Sequence, residues 1–356
     1  MKKENWINMA KFIAILAVMV DHTNGVLYTH HSVAVASYFS VSLFIFLMGI
    51  TTFWSYERNV GNLKTKVIQK ISAISVSYFL ATAVYQVTAY HSFDFGRYVT
   101  ALINFNASGP FYFVLLYIQL VFVSPFIFYL IKIIGKTNSK RFAVMNYIFV
   151  WGGVILLSYF TTNFTNILDI YGGGGKVFGG TYLILLYMGM IFAAYYRYFK
   201  ADIFLFLIFL ALAFGWWRFE CHNQFAIDRK VPFGGGFNPP SITSSTMALL
   251  LAGVMFNFGA LVEKNRVLRK YCGMWAWLGS HTLYIFLYHR YFLDFWLGRF
   301  KFLQENIWIK RAGYMCVMIF GSIAIEYLGY GLKKIYARQK TIVMEMTERI
   351  EERDAC

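Results

Sequence analysis

Ten apolar stretches, each of about 17 to 25 residues and so able to cross a bilayer, account for most of this chain. They lie at 7–27, 38–56, 71–90, 111–131, 142–161, 178–196, 201–217, 241–262, 277–297 and 311–332. Backbone N–H and C=O groups find no partners in hydrocarbon, so such segments must be helices; barrel strands are shorter and alternate in polarity. The expected fold is all-α: a polytopic membrane helical bundle of about ten transmembrane helices, with both termini on one side. Composition excludes a soluble domain, since 58% of the residues are hydrophobic and 14% charged, whereas a soluble domain carries about 25% charged residues.

The formal charge of +16 is explained by where the basic residues fall, and nucleic acid is not needed as a partner. Of the 33 Lys and Arg, 22 lie on the side of the termini, nine on the opposite side, and Lys11 and Arg290 lie inside spans. Basic residues of short loops stay in the cytoplasm, so both termini are expected there, in a multi-pass protein of the plasma membrane. Arg299, Lys301, Lys310 and Arg311 between the last two spans run against this bias. Lys2, Lys3, the apolar core 12–20 and Ala34-Val35-Ala36 have the outline of a cleavable signal peptide, but Asp21 and His22 between core and triplet argue against cleavage.

No Pro- or Ser-rich linker divides the chain, so residues 1–332 read as one membrane domain and 333–356 as a charged cytoplasmic tail with helical character. Two irregular stretches, Tyr171 to Lys176 with four glycines and residues 218–240 ending in Phe233-Gly-Gly-Gly-Phe-Asn-Pro-Pro240, fall on the non-cytoplasmic side. Neither has the layout of a phosphate-cradling glycine motif, and both read as flexible loops. The four cysteines form no CxxC pair and have no zinc-like spacing to histidine, so neither a metal nor a disulfide framework is expected.

Ionisable residues are costly inside a membrane and become functional candidates for that reason. The spans hold Lys11, Asp21, His22, His281, His289, Arg290, Asp294 and Glu326. A neutral imidazole can take a proton from a hydroxyl, which singles out His22 and His289. They lie about 22 and 18 Å from the cytoplasmic ends of their spans, depths that permit a shared cavity. Lys11 stands 11 residues before His22, so the two share a helix face at about 16 Å. That face suits an anion at the cytoplasmic rim and chemistry deeper in. Read alone, Lys11 is more readily a side chain snorkelling to headgroups than an anion site, and the alternative for either histidine is a structural one bonded to a neighbouring helix.

The segment Trp6-Ile-Asn-Met-Ala-Lys11 through Val20-Asp-His22 resembles the opening of the membrane acyltransferase 3 family, above all its sugar O-acetylase members. In that family a basic residue is followed, after ten others, by a catalytic histidine. Tyr38 to Gly49 is similar to the family's phenylalanine-rich segment, and Leu278-Gly-Ser-His-Thr-Leu-Tyr-Ile-Phe-Leu-Tyr-His289 to its LG-x-x-[ST]-L-x-I-[YF]-L-x-H pattern. Lys11 stands where arginine is common, Asn8 where aspartate is usual, and His281 where asparagine is frequent.

The resemblance implies an acyltransferase that moves an acyl group, commonly acetyl from acetyl-CoA, to a hydroxyl of a sugar or another envelope component in a bacterial membrane. It gives His22 the catalytic role, as general base or transient acyl carrier, and Lys11 the coenzyme's phosphates. His289 becomes a candidate on the acceptor side or as support for the reacting groups. The implied partners are an acyl-CoA donor, which is consumed and not permanently bound, a sugar or glycan acceptor and the bilayer; a second copy of the chain is admissible. Aromatic residues of 218–240 are candidates to stack on sugar rings. Two other classes fit the same residues: a transporter or flippase of a polar or sugar-linked molecule, and a non-catalytic scaffold.

Overall fold

The computed structural model describes residues 5–135, 140–167, 172–223, 226–230, 233–234, 238–299 and 306–354. Among the described residues there are fourteen α-helices: α1 (Asn5–His22), α2 (His31–Val35), α3 (Ser40–Glu57), α4 (Leu63–Tyr90), α5 (Phe95–Asn104), α6 (Tyr112–Gly135), α7 (Lys140–Phe164), α8 (Tyr182–Ala194), α9 (Ile203–Asn223), α10 (Ala226–Lys230), α11 (Ile242–Lys264), α12 (Arg266–Ser280), α13 (Thr282–Tyr291) and α14 (Ile307–Asp354). Among the described residues there is no strand, only an isolated bridge between Asn24 and Tyr28. The all-α expectation holds.

Seven helical segments of the described residues are long and apolar enough to cross a membrane: His31–Glu57, Val60–Tyr90, Gly109–Gly135, Arg141–Phe164, Ile203–Asn223, Ile242–Lys264 and Ile307–Gly331. Each coincides with an expected span. The other three expected spans are modified for physical reasons. The first, 7–27, shortens to the 18 residues of α1, an unbroken helix that carries the charged residues Lys11 and Asp21. The sixth, 178–196, contracts to the 13 residues of α8, about 20 Å against a hydrocarbon core of about 30 Å.

The ninth, 277–297, is not one helix. Helix α12 stops at Ser280, α13 begins at Thr282, and a π-helical turn (Phe292–Trp296) and a 3-10 turn (Leu297–Arg299) follow. At the break the Thr282 hydroxyl donates to the Gly279 carbonyl (3.3 Å), and the His281 N–H bonds Leu278 O at 3.1 Å. Such local bonds compete with the helical ladder.

The chain divides into two compact units, Met1–Leu287 and Tyr288–Cys356. Helix α1 lies at the heart of the first, packed against α3, α11 and α12, with its residues from Trp6 to Met19 mostly buried. Helix α3 crosses α8 backbone to backbone at Gly49 and Gly189. A Cβ on Gly189 would meet Phe46 O at 2.1 Å, and one on Gly49 would meet Leu186 O at 2.4 Å. Small residues at a membrane-helix crossing give this close approach, which van der Waals packing then rewards. The opposite faces of α6, α7 and α9 stay apolar and exposed: Phe122 is 73%, Phe149 83% and Phe204 72% exposed. Such broad apolar surface calls for lipid as its neighbour.

The first glycine stretch is a packed turn, not the flexible loop its composition suggests. Gly173 to Gly175 are buried, and a Cβ on Gly173 or Gly174 would collide with the Tyr182 ring (2.3 Å) or Tyr112 O (2.4 Å). The Gln119 side chain clamps the turn, donating to Gly174 O (3.0 Å) and accepting from the Phe178 N–H (2.8 Å). Of the second stretch, residues 224–225, 231–232 and 235–237 lie outside the described residues; helix α9 takes its first part as far as Asn223.

In the second unit the π-helical turn packs on α14, where Gly321 leaves room for the Phe292 ring. Arg290 and Asp294 form an ion pair of 3.1 Å, and His289 and Glu326 are buried. Helix α14 continues through the tail to Asp354 without a break.

Candidate functional site

Two cavities of the first unit hold the two residues that the sequence singles out on α1. The larger, of about 490 Å³, contains Lys11 together with Lys66 and Lys70 of α4. Thr51, Thr52 and Ser55 of α3 and Gln69 supply its polar wall; Phe44, Met48, Phe113, Tyr117, Leu283 and Phe286 supply its apolar one. Among the described residues no carboxylate lines it.

Helix α4 begins at Leu63, so Lys66 and Lys70 lie in its first two turns and, four residues apart, on the same face. The Lys70 ammonium donates to Thr52 Oγ1 at 2.7 Å and sits 5.1 Å from the centroid of the Tyr56 ring, while Lys66 donates to Gln69 Oε1 at 3.2 Å. Lys70 is close enough to Lys11 for their like charges to interact. Three ammonium groups around one half-buried space favour an anion of several charges between them.

The smaller cavity, of about 230 Å³, contains His22 and Asp21 from the end of α1, Tyr38, Ser40, Val41, Gly109, Pro110, Tyr112 and Asn238. Asp21 projects about 100° around the helix from His22, so it is no intrahelical partner, yet both side chains line this space. The Asn238 side-chain amide donates to the Tyr112 hydroxyl and accepts from the Tyr182 hydroxyl, which fixes its orientation. Thr181 Oγ1 holds the same loop by donating to Pro240 O at 2.7 Å. Hydroxyls, an amide, a carboxylate and an imidazole around a compact space can orient a polyhydroxyl ligand and take one of its protons.

Phe286 lines both cavities. Its ring lies 4.9 Å from that of Phe113, which lies 6.4 Å from that of Phe44. Phe286 therefore forms part of the wall of both spaces, with Phe113 and Phe44 beside it on the lysine side. The break between α12 and α13 helps to form the lysine-side wall, because Thr282, Leu283 and Phe286 all face the lysine cavity. Non-helical backbone at membrane depth is tolerated where it borders such a cavity.

The structure thus assigns Lys11 and His22 to adjoining cavities on one helix. His289 belongs to the second unit, where it is buried. Sequence reasoning missed Lys66, Lys70, Asn238 and Phe286 as site residues. The spacing of Lys66 and Lys70 was a usable signal, but both counted as loop charges because the span was drawn from residue 71. Asn238 and Phe286 carry no charge and had no such signal. Among the described residues no group of three or more His, Cys, Asp or Glu could hold a metal ion.

No curated protein matches the chain. No solved structure matches it either. The family model described as an acyltransferase domain matches residues 4–327, a stretch that includes the lysine cavity, the His22 cavity and the segment ending at His289. With nearly the whole chain matched, this all-helical protein belongs to the membrane acyltransferase 3 family.

Proposed function

We propose that this membrane acyltransferase moves an acetyl group from cytoplasmic acetyl-CoA to a hydroxyl of an envelope saccharide or glycan precursor, in the plasma membrane of a bacterium. The observation that carries the reading is the pair of adjoining cavities, three lysines around one and His22 in the other, with Phe286 in the wall of both. Lys11, Lys66 and Lys70 match the phosphates of a coenzyme that enters from the cytoplasm. Its thioester arm then runs along α1, over the roughly 16 Å that separate Lys11 from His22. All ten spans cross the membrane in this reading, the three modified ones within the protein interior, and both termini are cytoplasmic. Residues 1–332 form the catalytic membrane domain and 333–356 its cytoplasmic tail.

In the chemical step the His22 imidazole takes the proton of the acceptor hydroxyl as its oxygen attacks the thioester carbonyl carbon. The tetrahedral intermediate collapses, the C–S bond breaks, and the imidazolium returns the proton to the departing thiolate. Atoms and charges balance without a metal or redox partner. The general-base role is preferred to a transient acyl-imidazole because it needs one placed neutral imidazole and no labile intermediate. Asn238, Ser40 and Tyr38 orient the acceptor; His289 serves the acceptor side or supports the reacting groups.

A transporter or flippase is the second reading, favoured by the same two cavities, because adjoining spaces also describe a substrate path. Coenzyme A separates the two, since a transporter consumes none. The test compares base-labile acyl groups on envelope glycans, by NMR and mass spectrometry, in cells lacking the protein, cells restored with wild type, and cells restored with His22→Ala at matched membrane abundance. Acyl groups present only with wild type support the acyltransferase. Full restoration by His22→Ala rejects the catalytic assignment, and no difference among the strains makes transport the leading reading.

A further inference from the structure

Away from both cavities, a third space of about 370 Å³ lies among α1, α3, α7, α8, α9 and α11. Trp6, Phe46, Trp151, Phe192, Phe209 and Phe256 make most of its wall, and it shares no lining residue with the lysine or His22 cavities. Trp6 stands edge-to-face with Phe192 (6.3 Å) and Phe256 (5.6 Å), and Phe192 stacks on Phe199 at 4.8 Å. Most of the lining side chains, Trp151, Phe192 and Phe256 among them, are partly exposed, so the space opens to the surroundings of the bundle.

The one charged group in its wall is Lys200, which is exposed and lies just before α9 begins at Ile203. Among the described residues Lys200 has no ion pair or hydrogen bond. Its polar neighbours are engaged with one another: Asp202 Oδ1 accepts from the Phe204 N–H at 2.7 Å, and the Asp202 N–H donates to Asn257 Oδ1 at 2.9 Å. The Asn257 amide donates to Gly253 O at 2.8 Å, and the Trp6 indole donates to the Tyr196 hydroxyl at 3.3 Å. The result is an apolar body with a free cation at one end. From Leu249 to Asn257 it follows α11 for about 12 Å, nearly the depth of one leaflet in a hydrocarbon core of about 30 Å. An apolar space stays dry and takes an apolar guest, as smaller ones of about 150 Å³ already do. In a bilayer the guest at hand is a lipid chain.

We propose that this space binds one anionic phospholipid, with an acyl chain along Phe46, Phe209, Leu249 and Phe256 and its phosphate at Lys200. Arg197, exposed three residues earlier, adds to the positive charge of the loop between α8 and α9, and a basic rim favours an anionic headgroup over one that carries a cation of its own. The chain fills the flank of α8, whose 13 residues cover about 20 Å of the hydrocarbon depth. It also packs on Trp6 of α1, the helix that carries Lys11 and His22. The site does not depend on the acyltransferase reading; only the cytoplasmic leaflet as the source of the lipid rests on the proposed orientation.

The test places the full-length protein in nanodiscs of equimolar phosphatidylglycerol and phosphatidylcholine, releases it, and counts retained lipids by native mass spectrometry, with monomer or dimer read from the same spectra. Wild type should keep one phospholipid per chain and favour phosphatidylglycerol by about fivefold, the contribution of one lysine near the membrane surface. Lys200→Gln, at an exposed position, should keep the lipid and lose that preference. Leu249→Trp, which fills the space from a partly exposed position, should lose the lipid, whereas Leu249→Ala, which leaves room, should keep it; helix content by circular dichroism checks that both fold. His22→Ala should match wild type, so a failure of the catalytic reading leaves this result intact. Glycerol 3-phosphate, a headgroup without chains, should not displace the lipid. The proposal is overturned by equal retention in wild type and folded Leu249→Trp, by a preference that Lys200→Gln leaves unchanged, or by displacement with glycerol 3-phosphate. A dimer that Leu249→Trp dissociates with no lipid lost makes the space an interface between two copies and overturns it as well.

Discussion

Replacing Lys70 by Gln removes one of the three ammonium groups of the larger cavity while keeping a chain able to donate to Thr52, with which Lys70 forms its 2.7 Å bond. Half-buried charges about 6 Å apart interact by about 3 kcal/mol at an effective dielectric constant of about 20, and by under 1 kcal/mol in water. Loss of one lysine should therefore weaken a phosphate-bearing donor by about 1 to 3 kcal/mol, or roughly 5- to 150-fold. The phosphates stand far from the reacting carbonyl and are held alike in ground and transition states, so the loss should appear in KM for acetyl-CoA with kcat little changed. The assay is steady-state transfer from acetyl-CoA by the protein in nanodiscs, run beside acetyl-pantetheine, which has the same thioester arm and no phosphate. Wild type and Lys70→Gln should use acetyl-pantetheine equally, and Lys70→Arg should retain most of the acetyl-CoA affinity. An equal loss with both donors, or a fall in kcat alone, refutes the phosphate assignment.

Phe286→Leu should enlarge the spaces that Phe286 borders and raise the butyryl-CoA to acetyl-CoA ratio of kcat/KM by about thirtyfold, given roughly 1 kcal/mol for each of the two methylenes accommodated; an unchanged ratio removes Phe286 from acyl-chain selection. Asn238→Ala leaves the Tyr112 and Tyr182 hydroxyls without their shared partner and should raise KM for the acceptor more than for acetyl-CoA, which two-substrate kinetics will separate. Gly189→Ala sets a methyl 2.1 Å from Phe46 O and should destabilise the α3–α8 crossing by about 1 to 3 kcal/mol, in the range of overpacking, read as a lower Tm in nanodiscs. A protease-cleavable tag after Cys356 should stay protected in intact cells; cleavage from outside reverses the proposed orientation.

The helical class was legible because hydrocarbon leaves the backbone few alternatives, and seven of the ten expected spans coincide with long apolar helices. Hydropathy reads apolar content over a window and does not detect local bonds that end a helix. Residues 277–297 are apolar enough for one span, yet the Thr282 hydroxyl and the turn at His281 break the ladder there. The same limit applies to Gly173 and Gly174. Composition marks them as a loop, while their packing depends on Tyr112, Tyr182 and Gln119, which are distant in sequence.

The site shows a different limit. Lys11 and His22 could be paired from sequence because one helix carries both, and helical geometry relates them without knowledge of any other element. Lys66 and Lys70 were visible, but positive charge at a cytoplasmic helix end satisfies membrane insertion as fully as it satisfies an anionic ligand. A count of basic residues therefore cannot separate topology from binding. The separation comes only when α4 is seen to turn both lysines into the cavity that also holds Lys11. Phe286 lies beyond sequence reasoning for the complementary reason: in a chain with 37 phenylalanines, a ring that lines two cavities looks like any other until the walls of both are known.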